Sequence, residues 1–342
     1  MLRLSVLDQS TVVTGRSPDI SIRESLALAK HCEALGYHRY WCAEHHNSES
    51  QAGTAPEILI SAIAATTTRI RVGTAGVMLP HYSSLKVAEQ FRVLEAIAPG
   101  RIDLGLGRAP GSDGRTAFAL NPLAETAADH FPAQVRDLMA WVSGQKLVEG
   151  HPFRDVMAQP GGPTVPEMWI LGSSDYGAQV AAYFGLPFCF AHFITDGRGV
   201  EQALAIYREG YRPSERWPQP HAAICVWAMT ADSAEDTAYL FRSREMWRLG
   251  RDRGVYSALP SPEEAAAYQY SEGELARIDR LRARAIYGTP DVVGTKLREL
   301  AAAHGVTEIA ILTTLHDPEA RQRSYTLIAR EFGLEGAMRL AA

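Results

Sequence analysis

Three short stretches of the sequence hold residue types that can do chemistry at close spacing. The first is Glu44-His45-His46-Asn47, a carboxylate followed by two imidazoles. Glutamate and histidine are common metal ligands, but adjacent residues of an extended run point to opposite faces, so three in a row do not converge on one ion. No HExxH spacing supports them either, and a catalytic or cofactor role ranks above a metal. His46 is expected to be satisfied by backbone in a loop, while position alone leaves His45 divided between packing and proton transfer. The second stretch is GLGRAPG (Gly105–Gly111). Its glycines are spaced GxGxxxG rather than GxGxxG, which argues against a Rossmann dinucleotide turn. What it offers is Arg108, emerging from a glycine-lined strand end and suited to a phosphate or an anionic ring. The third, GSSDYGA (Gly172–Ala178), sets Gly172, Ser173 and Ser174 before a helix, where hydroxyls and unpaired N–H groups can hold a phosphate. Taken alone, it also reads as an ordinary serine N-cap.

These residues need elements to position them. Leu2–Leu7, Tyr37–Cys42, Ile70–Val77, Arg101–Leu106, Glu167–Leu171, Pro187–His192, Ala222–Met229 and Glu308–Thr313 read as strands, each an apolar or β-branched run. Helical spacing follows them. Ile22, Leu26, Ala29 and Cys32 mark one face, and Val87, Phe91, Leu94 and Ala98 another. Helices are also predicted over Ala55–Thr67, over Ala124–Val142 as a single element, after Asp175, and through Val293, Leu297 and Leu300. Eight strand–helix units without a composition break predict one α/β domain, residues 1–342, closed as a TIM (β/α) barrel rather than an open doubly wound sheet. In such a barrel the site forms at the C-terminal strand ends. That rule collects Asp8–Ser10, Glu44–Asn47, Thr74–Gly76, Arg108, Gly172–Ser174 and His192, the last closing the sixth strand. Gly250–Pro290 is the one irregular segment, an insertion before the eighth strand, and reads as a mobile lid or as a surface decoration.

The 342 residues carry a net charge of −5, with 46% hydrophobic and 21% charged residues, the composition of a globular chain with a large core. Basic residues are scattered singly, so nucleic acid and anionic membrane are not expected as partners. The opening MLRLSVLDQS lacks the pattern of a signal peptide, and no apolar stretch approaches the roughly 18–20 residues of a membrane span. A cytoplasmic protein is expected. Cys32, Cys42, Cys189 and Cys225 are isolated and read as small buried hydrophobes, not as a disulfide or zinc framework. The basic residues are arginines except for Lys30, Lys86, Lys146 and Lys296, which suggests a GC-rich genome.

Longer stretches around these residues resemble the bacterial-luciferase-like flavin-dependent monooxygenases, in the single-gene branch of that family. They are WCAEHHN (Trp41–Asn47), the run from Arg69 to Asp113, ILGSSDYGAQVAAYFGLPFCFAHF (Ile170–Phe193), and Gly288–Leu312 with the RSY of Arg323–Tyr325. The resemblance implies a barrel that binds reduced FMN and uses dioxygen to oxygenate a small organic substrate. It implies Arg108 as the flavin-phosphate arginine, Gly172, Ser173 and Ser174 as the phosphate loop, and a non-prolyl cis peptide at Ala75–Gly76 beneath the flavin ring. It makes His45 and Glu44 the catalytic residues, with Glu44 beside the flavin, and makes His192 a cofactor-binding residue where luciferase has a tryptophan. Gly107 replaces luciferase's reactive cysteine, which argues against light emission with a long-chain aldehyde. No nicotinamide site is visible, so an NAD(P)H:flavin reductase is the expected supplier, and a homodimer is expected from the family. Two other readings share the resemblance: a deazaflavin-dependent dehydrogenase, and a flavin-binding protein without turnover. Polyketide or other secondary-metabolite tailoring is suggested by association with the arginine-rich composition.

Overall fold

The computed structural model describes residues 2–109 and 111–336, so Pro110 of the GLGRAPG motif lies outside the described residues. Strand and helix alternate along the chain as β1 (Arg3–Asp8), α1 (Pro18–Leu35), β2 (Arg39–Cys42), α2 (Pro56–Thr66), β3 (Arg71–Thr74), β4 (Val77–Met78), α3 (Ser84–Ile97) and β5 (Ile102–Gly107). Then come α4 (Gly114–Leu120), α5 (Ala124–Asp129), α6 (Phe131–Val142), β6 (Glu167–Gly172), α7 (Asp175–Phe184), β7 (Phe188–Phe190), α8 (His192–Thr195) and α9 (Val200–Glu209). The chain ends with β8 (Ala222–Thr230), α10 (Ala234–Arg251), α11 (Pro262–Ala267), α12 (Glu272–Arg284), β9 (Ile286–Gly288), α13 (Pro290–His304), β10 (Glu308–Leu312) and α14 (Pro318–Glu331). β1, β2, β3, β5, β6, β7, β8 and β10, with helices between them, make the fold a TIM (β/α) barrel, as the alternation predicts.

Two compact units divide the chain. In the first, made of Met1–Tyr40, Ser48–Thr54 and Ile224–Ala342, β1 runs parallel to β10 from Arg3–Glu308 to Leu7–Leu312, β10 also pairs with β8, and β8 runs parallel to β9. In the second, Trp41–Asn47 and Ala55–Ala223, β3, β5, β6 and β7 pair in parallel in that order, with β4 beside β5 at Val77–Leu106 and Met78–Gly107. Strands such as β2 and β10 are buried at every position, which is why they read as continuous apolar runs rather than alternating ones.

The structure departs from the sequence reading in five places, each with a local cause. The third strand is not one run: β3 stops at Thr74, the Ala75–Gly76 peptide is cis, and pairing resumes at Val77. The sixth strand ends at Phe190, so His192 opens α8 instead of closing the strand. The single helix expected over Ala124–Val142 is two, because Pro132 has no N–H to continue a helix and sits at the start of α6. The buried face of α1 is Ser21, Ser25, Leu28, Ala29, Cys32 and Leu35, not the stripe through Ile22 and Leu26. Its serines have buried partners, Ser25 meeting the Ser10 hydroxyl at 2.9 Å. Finally, Gly250–Pro290 is not irregular. Reciprocal capping boxes at Ser261/Glu264 and Ser271/Glu274 start α11 and α12. The segment is anchored within its own unit. The Leu259 amide donates to the Val12 carbonyl at 2.8 Å, the Thr14 amide donates to the Leu259 carbonyl at 2.9 Å, and Leu259, Val13 and Trp247 form a buried cluster.

Candidate active site

β2 runs out into Ala43–Asn47, and there Glu44 is only 1% exposed. Three donors converge on its carboxylate. Oε1 accepts from His46 Nε2 at 2.8 Å and from the Tyr82 hydroxyl at 2.6 Å, and Oε2 accepts from the Met78 amide at 3.0 Å. The partner of His46 is therefore a carboxylate two residues back, not the backbone that was expected. Residues i and i+2 of an extended run share a face, which is what brings the pair together. A buried carboxylate without donors is strongly disfavoured, so the arrangement has a clear physical reason. Burial raises the Tyr82 phenol above its ordinary range and the Glu44 charge adds to this, so Tyr82 keeps its proton and donates. Burial also raises Glu57 on α2, with Glu44 adding to the rise and His46 countering it. His81 stands edge-on to His46, ring centres 6.1 Å apart.

Next to this cluster the cis Ala75–Gly76 peptide appears where the resemblance implies it. The Ala75 amide donates to the Cys42 carbonyl at 2.8 Å, tying the break in β3 to the end of β2. Glycine is required here by close approach. A Cβ on Gly76 would lie 2.6 Å from Leu171 Cδ1 and 2.8 Å from the Gly105 carbonyl oxygen, and a Cβ on Gly105 would lie 2.0 Å from the Thr74 carbonyl oxygen. Thr74 locks the two strands by donating its hydroxyl to the Gly105 carbonyl at 3.0 Å and accepting from the Gly105 amide at 3.2 Å. The result is close backbone packing of the Ala75–Gly76 segment against β5 and Leu171 of β6.

The cationic group follows at the end of β5. Arg108 is exposed, and its guanidinium carbon lies 4.1 Å from the centre of the Tyr176 ring, on the first turn of α7. Ser174 occupies the N-cap position of that helix, yet its side chain makes no capping hydrogen bond. The ordinary N-cap reading of GSSDYGA is thus not realised, and the serine hydroxyl and helix N-terminus stand beside an arginine, a donor set suited to phosphate. The Gly172 carbonyl accepts from the Ala191 amide at 2.8 Å, which brings the strand end before Ser173 and Ser174 next to His192. His192 is half-buried, and a Cβ on Gly197 would lie 2.5 Å from its Nε2. His45 is likewise half-buried, between Glu44 and His46.

Asp8–Ser10, gathered by the strand-end rule, belongs to a different construction in the first unit. Asp8 accepts from Arg321 at 2.8 Å, from the Ser10 amide at 2.9 Å and from the Tyr40 hydroxyl at 2.5 Å, and Arg321 also donates to the Thr313 carbonyl at 2.7 Å. Burial pushes the Asp8 carboxyl up, but Arg321 and hydrogen bonds from Ser25 and Tyr40 outweigh it and hold the group below its ordinary range. This is a structural ion pair. Among the described residues no group of three histidine, cysteine or acidic side chains could hold a metal ion, and the four cysteines are buried. Sequence reasoning missed Tyr82, the Met78 amide and Tyr176. Tyr82 lies in the run from Arg69 to Asp113 and Tyr176 in GSSDYGA, but nothing in the spacing tells where a phenol lands.

A barrel with a glycine-lined cradle and a cationic, hydroxyl-bearing strand end has the layout of a cofactor-dependent barrel enzyme. A family model for luciferase-like monooxygenases matches residues 2–308, and the chain belongs to that family. It is similar to a luciferase-like monooxygenase of Escherichia coli strain K12, 39% identical over 328 residues, with 95% of this chain and 96% of that protein covered. It is also similar to an N-acetyl-S-alkylcysteine monooxygenase of Bacillus subtilis strain 168, 35% identical over 96% of this chain and 98% of that protein. Among solved structures, apo-MsnO8 superposes with a TM-score of 0.89 at 35% identity, covering 98% of this chain and 99% of that one. A type II Baeyer-Villiger monooxygenase component in complex with FMN (TM-score 0.70, 17% identity) and an F420-dependent secondary alcohol dehydrogenase (TM-score 0.64, 13% identity) share the fold, and no described helix is long and apolar enough to cross a membrane.

Proposed function

We propose that this chain is an FMN-dependent monooxygenase that receives reduced FMN from a separate NAD(P)H:flavin reductase and oxygenates a small organic substrate. The observation that carries the reading is the Arg108–Tyr176 stack beside Ser174, whose hydroxyl does not cap its own helix. A terminal phosphate monoester is close to dianionic at neutral pH, and it gains more from an arginine plus a helix N-terminus than a singly charged diester does. That favours FMN over a deazaflavin. When bound, reduced FMN supplies the reaction with dioxygen, one atom of which goes to the substrate and the other to water.

In this reading Arg108, Gly172, Ser173 and Ser174 hold the phosphate, and His192 contacts the cofactor beside them. The Ala75–Gly76 backbone lies against the ring, where a side chain on Gly76 would not fit. His45 holds and moves the proton at its imidazole, since an unperturbed histidine titrates near pH 6.5 and suits either direction of transfer. The 250–290 segment serves in this reading as the lid that limits water. A homodimer in the cytoplasm completes the proposal. The name of the Bacillus relative makes N-acetylated thioethers the first substrates to test, with polyketide-like secondary metabolites as the second class.

The experiment is a turnover assay under ¹⁸O₂ with a reductase, NADH and either FMN or a deazaflavin. The reading expects product bearing one ¹⁸O atom with FMN alone. Hydride transfer to a deazaflavin without oxygen incorporation would replace it by the dehydrogenase reading. Tight flavin binding with no product across both substrate classes would leave a flavin-binding protein.

A further inference from the structure

We propose that Glu44 is the positioning residue of this site, one buried carboxylate that fixes His46, Tyr82 and Met78 at once and so sets His45 and the Ala75–Gly76 segment in a defined relation. The proposal deepens the flavin reading and rests on it for what the segment faces. Its basis is the origin of the three donors. His46 lies two residues beyond Glu44, Met78 two residues beyond Gly76, and Tyr82 directly after the 3-10 turn Leu79–His81. His45 sits between the members of the bonded pair, so its main chain is tied on both sides.

The end of β2 also grips the neighbouring segment twice. The Cys42 carbonyl takes the Ala75 amide at 2.8 Å and the Glu44 carboxylate takes the Met78 amide at 3.0 Å. The cis peptide lies between these two anchors. The Met78 amide, the Tyr82 hydroxyl and His46 Nε2 together supply three donors to a carboxylate that is 1% exposed. The bond also selects a tautomer, because donation from Nε2 leaves Nδ1 as the acceptor of the neutral ring. Glu44 is therefore not a proton-transfer group itself. With three donors on two oxygens and no exposed face, it acts through His45 and through the backbone.

The test uses the full-length protein and three variants, Glu44→Met, Tyr82→Phe and His46→Asn. Imidazole ¹⁵N spectra of the histidine-labelled protein without flavin should show His46 as the Nε2–H tautomer in the wild type and in Tyr82→Phe, and a tautomer mixture in Glu44→Met. Reduced-FMN affinity, titrated anaerobically, should fall about tenfold in Glu44→Met and about threefold in Tyr82→Phe. The Glu44→Met/Tyr82→Phe double variant should lose no more than Glu44→Met alone, because both remove the same tie. If Glu44→Met does not fold, the Tyr82→Phe/His46→Asn cycle takes its place, with less than additive loss expected. Unchanged His46 nitrogens in Glu44→Met, or full additivity in both cycles, overturns the proposal. A wild-type protein that binds no FMN overturns the flavin reading instead, while the nitrogen spectra still decide the Glu44–His46 tie.

Discussion

The guanidinium of Arg108 stacks on the ring of Tyr176 at 4.1 Å, joining the end of β5 to the first turn of α7. The stack holds an otherwise exposed arginine against a ring on the first turn of the helix that Ser174 begins. Arg108→Lys is therefore not a conservative change here, since an ammonium has no plane to stack.

Tyr176→Phe should keep the stack and bind reduced FMN as the wild type does. Tyr176→Ala should lose about 0.5–1 kcal/mol of cation–π contact, roughly a two- to fivefold weaker dissociation constant. Equal losses in both variants, read by flavin fluorescence, would mean that the hydroxyl matters and the ring does not.

His45 and His46 are neighbours with different expected roles. His45→Ala should bind FMN nearly normally yet lower product formation by roughly 10²–10⁴-fold, the usual contribution of a positioned acid or base. Flavin oxidation should continue, with hydrogen peroxide replacing product. His46→Ala should lower product by only about tenfold, because it loosens the Glu44 tie and leaves the proton carrier in place. Product-to-peroxide ratios measured with a reductase decide it. A coupled His45→Ala beside an uncoupled His46→Ala would reverse the two assignments.

In the first unit, the Asp8–Arg321 pair makes a stability prediction with a fixed sign. The folded Asp8 carboxyl sits below its ordinary value of 3.8. Its contribution is therefore complete above that value and is lost as pH falls through the lower folded one. Asp8→Asn leaves Arg321 buried without its counter-charge and should destabilise the protein by roughly 3–5 kcal/mol at neutral pH. It should also flatten the acid limb of the stability curve below about pH 4. Urea unfolding between pH 3 and 7 measures both, and an Asp8→Asn protein with a wild-type acid limb would contradict the assignment.

The barrel was legible because its signals are long-range and redundant. Eight strand-like runs, with helical patterns between them, outweigh errors in any one, and β2 and β10 are buried throughout. Gly76 was legible through the resemblance, and the structure supplies the reason for a glycine there, its close approach to Leu171 and Gly105. What escaped was pairing between distant side chains. The α1 face was right at Ala29 and Cys32 but misplaced at Ile22 and Leu26, because Ser21 and Ser25 face inward, Ser25 beside Ser10, and periodicity counts serines as polar. His46 was assigned backbone partners because the sequence does not say that Glu44, two residues away, is buried with it. The 250–290 segment looked structureless although SPEE and SEGE carried both capping boxes, a signal the pattern reading passed over in favour of composition.

The central claim is that Arg108 and the Gly172–Ser174 loop hold the phosphate of reduced FMN. Anaerobic titration of the wild type and Arg108→Ala with reduced FMN tests it most directly. Loss of a charge-assisted phosphate contact costs on the order of 1.5–3 kcal/mol, so the dissociation constant should rise by at least about tenfold in the variant. Reduced riboflavin, which lacks the phosphate, should bind both proteins alike. An unchanged FMN dissociation constant in Arg108→Ala would contradict the account.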